Sequence, residues 1–236
     1  MAAPLSIGAG ISVGPGISFG GSPAGDPYIA NVISLIPMTG TIGTAPVVTY
    51  GTTNTLTPYG TPPVISAAQS KWGTTSTVFD GNGHLYLSVL PAISGDFTWE
   101  TFAYPVDVSG VNMIFSNYTN TGGRVVYIQA GTLILNNTGT PIISGGTVTA
   151  NDWCHVALSR TSGTTKLFLN GQQVGSSLLN DTYDYSGQTT NLGIGGYESS
   201  PTLYEFDGYM NDVRITVGVG RYTSNFTPAT QPFPAF

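Results

Sequence analysis

Apolar and polar residues alternate along most of this chain with a period of two, in short runs closed by Gly, Asn, Asp and Pro. In Asn211 to Val217, Val213, Ile215 and Val217 alternate with Asp212, Arg214 and Thr216, which predicts a strand with one face in the core. Phe97 to Tyr104 is aromatic on both faces, as suits a central strand of a layered structure. Trp153 to Arg160 and Thr165 to Leu169 flank Thr161-Ser162-Gly163-Thr164, a hairpin signal. Asn170-Gly171 is the strongest two-residue turn signal, and Arg124–Gln129 with Thr132–Asn136 predict a further hairpin around Ala130-Gly131. No window longer than about ten residues carries a helical period. Roughly twelve such strands predict an all-β, two-sheet antiparallel sandwich over residues 26–236, because a single open sheet of that size would leave one apolar face uncovered.

The first residues follow another rule. Leu5-Ser6-Ile7-Gly8-Ala9-Gly10, Ile11-Ser12-Val13-Gly14-Pro15-Gly16 and Ile17-Ser18-Phe19-Gly20-Gly21-Ser22 repeat with a period of six. Within each unit the two apolar residues stand at i and i+2, on one side of an extended segment. An arm of this kind cannot bury Leu5, Ile7, Ile11, Val13, Ile17 and Phe19 on itself, and it lacks the charge of a solvated tail. Residues 1–25 are therefore read as an extended, Gly-rich assembly arm that packs on other subunits, with Pro23-Ala24-Gly25-Asp26-Pro27 as the linker.

Composition narrows the classes. Charged residues are 8% of the chain, and Gly 32 with Pro 16 make up about a fifth of it, which excludes a helical bundle. A hydrophobic content of 40% argues against disorder. Six basic residues and a net charge of −6 leave no stripe for phosphates, so nucleic acid is not an expected partner. Cys154 is the single cysteine, which excludes a disulfide framework and a Cys-based zinc site. The first basic residue is Lys71, so no signal peptide is expected, and no apolar run reaches the length of a membrane span.

A set of motifs, taken in order, carries a resemblance. Val78-Phe79-Asp80-Gly81, Phe97-Thr98-Trp99-Glu100 with Tyr104-Pro105, Ile114-Phe115-Ser116-Asn117, Trp153-Cys154-His155-Val156-Ala157-Leu158-Ser159-Arg160, Leu167-Phe168-Leu169-Asn170-Gly171, Leu192-Gly193-Ile194-Gly195-Gly196 and Phe206-Asp207-Gly208-Tyr209-Met210-Asn211-Asp212-Val213-Arg214-Ile215 follow one another. The series resembles the laminin-G-like jelly roll of the concanavalin A-like lectin/glucanase superfamily over roughly residues 30–235. Gly220-Arg221-Tyr222-Thr223-Ser224-Asn225-Phe226-Thr227-Pro228 and the Asp26-Pro27-Tyr28 start of the domain are similar to its bacteriophage branch, whose modules occur in virion proteins. The resemblance implies two curved antiparallel sheets and a location on the phage particle; a fold by itself implies no ligand.

Candidate chemistry is sparse. Glu205-Phe206-Asp207 sets two carboxylates at i and i+2, but Met210 stands where the glucanase branch carries its third acid, so these residues are expected to be strand-edge acids. His155 reads as structural and His84 as a turn residue after Asp80-Gly81-Asn82-Gly83. Cys154 and His155 point to opposite faces of a strand, so Cys154 is expected to be buried as a small hydrophobe. Asp80–Gly83 and Asn180–Asp184 are the best calcium loops, but neither has the spacing of a calcium motif; no metal and no cofactor are expected. Thirteen tyrosines exceed what a core alone requires. Tyr183, Tyr185, Tyr197 and Tyr204, with Asp181, Asp184 or Asn180 as polar partners, form the candidate glycan platform, the competing uses being loop packing and subunit contact.

The expected function is a non-enzymatic bacteriophage structural protein displayed on the virion surface, in head decoration or in a fibre or spike. Its arm would join it to other virion proteins in a homo-oligomer, a trimer being one such form. The alternative is a carbohydrate-binding module that recognises host surface glycans.

Overall fold

The computed structural model of the chain describes residues 25–51, 54–88, 93–118, 122–185, 191–196 and 204–234. The assembly-arm residues Leu5, Ile7, Ile11, Val13, Ile17 and Phe19, and the platform residue Tyr197, lie outside the described residues. After a single 3₁₀ turn (Ile29–Asn31), the strands are β1 (Val32–Ile36), β2 (Leu56–Gly60), β3 (Val64–Ser66), β4 (Ser76–Asp80) and β5 (Gly83–Leu87). They continue with β6 (Phe97–Pro105), β7 (Asn112–Ser116), β8 (Arg124–Gln129), β9 (Thr132–Asn137) and β10 (Thr140–Gly145). The last are β11 (Cys154–Thr161), β12 (Thr164–Leu169), β13 (Gln172–Leu178), β14 (Leu192–Ile194) and β15 (Asp207–Val217).

Turn chemistry fixes the hairpins as the sequence predicts. Ser162-Gly163 (φ 48° and 74°), Asn170-Gly171 (50° and 76°) and Ala130-Gly131 (47° and 69°) all place two consecutive residues in the left-handed region. That is the backbone twist which joins adjacent antiparallel strands without splaying them. A fourth such turn, Thr138-Gly139 (47° and 84°), links β9 to β10 and is not evident from the sequence alone.

The strands form two antiparallel sheets. One has eight strands in the order β13-β12-β11-β6-β15-β4-β3, with β1 also paired to β15; the other has seven in the order β10-β9-β8-β7-β14-β5-β2. The chain is thus an all-β, two-sheet sandwich, as its alternation predicts. In β6, Phe97, Trp99 and Ala103 enter the core between the sheets, while Glu100 and Phe102 face away from it. In the facing sheet Leu85, Leu87, Val126, Ile128, Leu133, Leu135, Leu192 and Ile194 complete that core. Cys154 lies in the same core and its neighbour His155 on the opposite face, and burial pushes the Cys154 thiol up to about 12. Among the described residues no helix is long and apolar enough to cross a membrane.

Val213, Ile215 and Val217 face the core as their alternation predicts, and a bulge stands at the start of this run. The register with β6 shifts between Asn211 and Arg214, and Asp212 takes φ 51°. This bulge turns Met210 and Val213 to the same core.

Candidate functional site

A two-layer sandwich has two outer faces, and this chain treats them differently. The outer face of the eight-stranded sheet is roofed by the chain's own ends. Phe233 packs with Val32, Leu35 and Phe102, against Trp72 and Trp153. Tyr222 and Phe226 stack at 3.6 Å over Phe168 and His155. Under this roof Arg214 donates to Glu100 Oε1 (2.9 Å) and Asp26 Oδ2 (2.9 Å). The Arg221 fork reaches both Asp26 oxygens at 2.8 and 2.7 Å. Tyr222 Oη donates to Glu100 Oε2 (2.7 Å), and His155 Nε2 lies 3.2 Å from the same oxygen. Burial pushes Glu100 up, but the Arg214 charge and the His155 bond outweigh it and hold this carboxyl at about 2. Asp26, expected to lie in a linker, is instead a buried member of this network. The network joins both carboxylates to groups of the chain itself and fastens the tail down.

At one end of the sandwich a second buried cluster takes up two of the expected glycan-platform residues. Tyr185 is wholly buried, 4.5 Å from the Phe97 ring, and its hydroxyl donates to Asp181 Oδ2 at 2.7 Å. Asp181 also accepts from Thr165 (2.6 Å) and from Arg124 (3.4 Å). Burial, with Asp181 beside it, pushes the Tyr185 phenol up. Tyr185 and Asp181 therefore cannot form a solvent-facing platform: a ring chosen for its half-wet character fills the core, and its acid is spent holding its hydroxyl and Arg124. Tyr183 is half-buried and lies under the Arg124 guanidinium at 4.5 Å, while Asp184 and Asn180 are exposed.

Among the described residues, the outer face of the seven-stranded sheet carries no such roof of charge. Its outward positions alternate with the core positions just named: Met113 on β7, Val125 and Tyr127 on β8, and Ile134 on β9 form their own apolar cluster, with Val111 and Tyr118 against it. These residues border a cleft of about 340 Å³, lined by Val111, Met113, Tyr118, Val125, Tyr127, Gln129, Asn136, Gly139 and Tyr204. Asn136 Nδ2 donates to the Tyr127 hydroxyl (3.4 Å), and Asn136 Oδ1 accepts from Gly139 N (2.8 Å). The tyrosine is thereby fixed to the floor while its own hydroxyl proton remains a donor. Tyr204 is 48% exposed with φ 74°, a conformation uncommon for a bulky residue, and its carbonyl accepts from Met113 N at 3.0 Å. Apolar floor, phenol rings and a few amides are the make-up of a small-ligand site.

Of the expected platform residues that are described, Tyr204 alone lines this cleft. Its partners Tyr127, Gln129 and Asn136 come from β8 and β9, and Tyr118 from the loop that follows β7, where the sequence suggests only core and turn. The signal was present: β8 is apolar on both faces, and the face bearing Val125, Tyr127 and Gln129 ends in a tyrosine and an amide. A second cleft, of about 430 Å³, opens beside the roof between Pro37, Trp72, Asp212 and Pro232. Its remaining lining of Gly and Thr offers no aromatic platform beyond Trp72.

Next to the tyrosine cleft in sequence lies a sealed pair. His84, expected at a turn, sits on β5 and is fully buried, with Nδ1 3.0 Å from both oxygens of buried Glu205. The Tyr59 ring stacks on the imidazole at 5.3 Å, and a Cβ at Gly196 would collide with Glu205 Oε2. Glu205 and Asp207 thus diverge. Glu205 closes on His84, while Asp207 starts β15 near Asp80 and Asp107. Asp80 closes its own turn by accepting from Asn82 N (3.0 Å). Among the described residues no group of three His, Cys, Asp or Glu is arranged to hold a metal ion.

Comparison with solved structures adds breadth. Domain 4 of AbnA, a GH43 extracellular arabinanase from Geobacillus stearothermophilus solved in complex with arabinotriose, superposes with a TM-score of 0.64 at 14% identity, over 80% of this chain and 94% of that one. The binding domain of Paraclostridial Mosquitocidal Protein 1 gives 0.58 at 13% identity, over 83% of this chain and 50% of that one. The binding domain of botulinum neurotoxin serotype G gives 0.56 at 14% identity, over 81% and 49%. The chain thus spans about half the length of these toxin binding domains. At such identities the likeness is one of fold. Comparison with curated protein sequences gave no match. Residues 73–218 match the concanavalin A-like lectin/glucanases superfamily, and with more than half of its length matched the chain belongs to that superfamily.

Proposed function

We propose that this chain is a carbohydrate-binding module whose ligand lies in the tyrosine cleft of the seven-stranded sheet. The observation that carries this reading is the asymmetry of the two outer faces. One is covered by a tail held down by ion pairs, and the other holds a cleft of phenols and amides. Phenol rings cover the apolar face of a sugar, and Gln129 can both donate to and accept from its hydroxyls. The arabinanase domain solved with arabinotriose supports the reading by analogy of fold. Binding without turnover is part of the proposal. Glycoside hydrolysis needs two carboxylates flanking the bond, and no carboxylate is among the described residues lining the cleft.

Calorimetric titration of oligosaccharides selected on a glycan array tests the proposal. Tyr204→Ala and Tyr118→Ala should each weaken binding about ten-fold while melting within a few degrees of the parent chain. Binding that survives both substitutions unchanged would contradict it.

The module is further proposed to work at the surface of a bacteriophage particle, held by residues 1–25. The support is in the sequence: an uncharged apolar repeat beside a domain with 8% charged residues. Removing residues 1–25, which stops short of Asp26, should leave a folded sandwich that no longer assembles. An unchanged oligomeric state by light scattering would count against the arm.

A further inference from the structure

We propose that the cleft selects uncharged saccharides and excludes acidic ones, an inference that rests on the glycan reading of the cleft. The chain has six lysines and arginines, and every one is engaged away from the cleft. Arg214 and Arg221 are bound to Glu100 and Asp26 under the tail on the opposite sheet. Arg160 donates to the carbonyls of Ile93 (2.8 Å), Gly95 (2.8 Å) and Tyr183 (2.6 Å). Lys166 donates to Thr223 O at 2.6 Å, and Lys71 lies over the Trp72 ring at 5.3 Å. Arg124 opens β8, the strand that gives the cleft Val125, Tyr127 and Gln129, yet it alternates with them, is buried, and is bonded to Asp181. The nearby imidazole of His84 is closed against Glu205.

None of the described residues lining the cleft is ionisable at neutral pH, tyrosine included. A sialic acid carboxylate, a uronate or a sulfate entering it would leave water and meet phenols and amides without a counter-charge, which is unfavourable. The net charge of −6 opposes its approach as well. A neutral sugar loses nothing by either effect. Selectivity of this kind comes from what the site withholds.

The test is a set of matched ligands titrated into the full chain at about 0.05 and 0.5 M salt, where charge effects are strongly and weakly expressed. Each neutral oligosaccharide is paired with its sialylated, sulfated or uronic derivative. The neutral member should bind at least about ten-fold more tightly, with little salt dependence. Gln129→Lys, at an exposed position, should narrow that gap by raising affinity for the acidic member. Equal or tighter binding of the acidic member by the parent chain would overturn the selectivity and leave the cleft as a glycan site. Undiminished discrimination by Gln129→Lys would overturn the argument that the missing cation at this rim is its cause. Failure of both members of every pair to bind would overturn the glycan reading and this inference together.

Discussion

Asp212 shows how far a single residue can depart from its sequence pattern. The pattern gives it a polar, outward strand position, but it is 2% exposed, at φ 51° in the β15 bulge, and accepts from Phe233 N at 3.1 Å. Burial pushes its carboxyl up to about 7, although the Phe233 amide and Arg214 pull the other way. Unfolded, an aspartate titrates near 3.9. Between about pH 4 and 7 the folded chain therefore holds the extra proton, and this residue's contribution to stability falls as pH rises through that window. Asn keeps the left-handed backbone and an oxygen for the Phe233 amide while removing the charge. Asp212→Asn should match the parent near pH 4 and exceed it by about 2 kcal/mol at pH 8, measured by urea unfolding. A variant less stable than the parent at pH 8 would contradict this. The same blindness affects Tyr185 and Asp181. Sequence records that a tyrosine and an acid share a loop, and only packing decides that the ring fills a core vacancy and the acid holds its hydroxyl.

At the scale of elements the sequence is most informative where local chemistry suffices. Turn pairs such as Asn170-Gly171 and Ser162-Gly163 specify their hairpins through backbone conformations that few residues adopt, so β11, β12 and β13 can be read directly. The two-sided aromatic pattern of β6 correctly marks a central strand, lying between β11 and β15. What could not be read is the partner of its outer face. Residues 219–234 have no strand period, yet they supply Arg221, Tyr222, Phe226 and Phe233 to the roof. Glu100, an isolated acid in an aromatic strand, marks that roof only when Arg214, Tyr222 and Asp26 are brought together across more than a hundred residues of sequence. Long-range assembly of this kind leaves no local period.

At the scale of the whole molecule, the sandwich follows from alternation and turns alone, and the superfamily match agrees with it over residues 73–218. Among the described residues, the candidate site was legible through Tyr204 alone. Its other walls are outward strand positions with the loop residues Val111, Tyr118 and Gly139 beside them, and alternation cannot tell an outward apolar residue under a roof from one facing a ligand. Phe102 and Val125 have the same local pattern; the first is covered by Phe233, and the second borders a cleft. The central claim is that the seven-stranded sheet bears the ligand. A crystal structure of the full chain with a neutral oligosaccharide chosen by array tests it most directly. The account predicts the sugar on Tyr118, Tyr127 and Tyr204, within hydrogen-bonding reach of Gln129. A sugar seated on Tyr183 and Asp184 at the end of the sandwich, or on the roofed sheet, would contradict it.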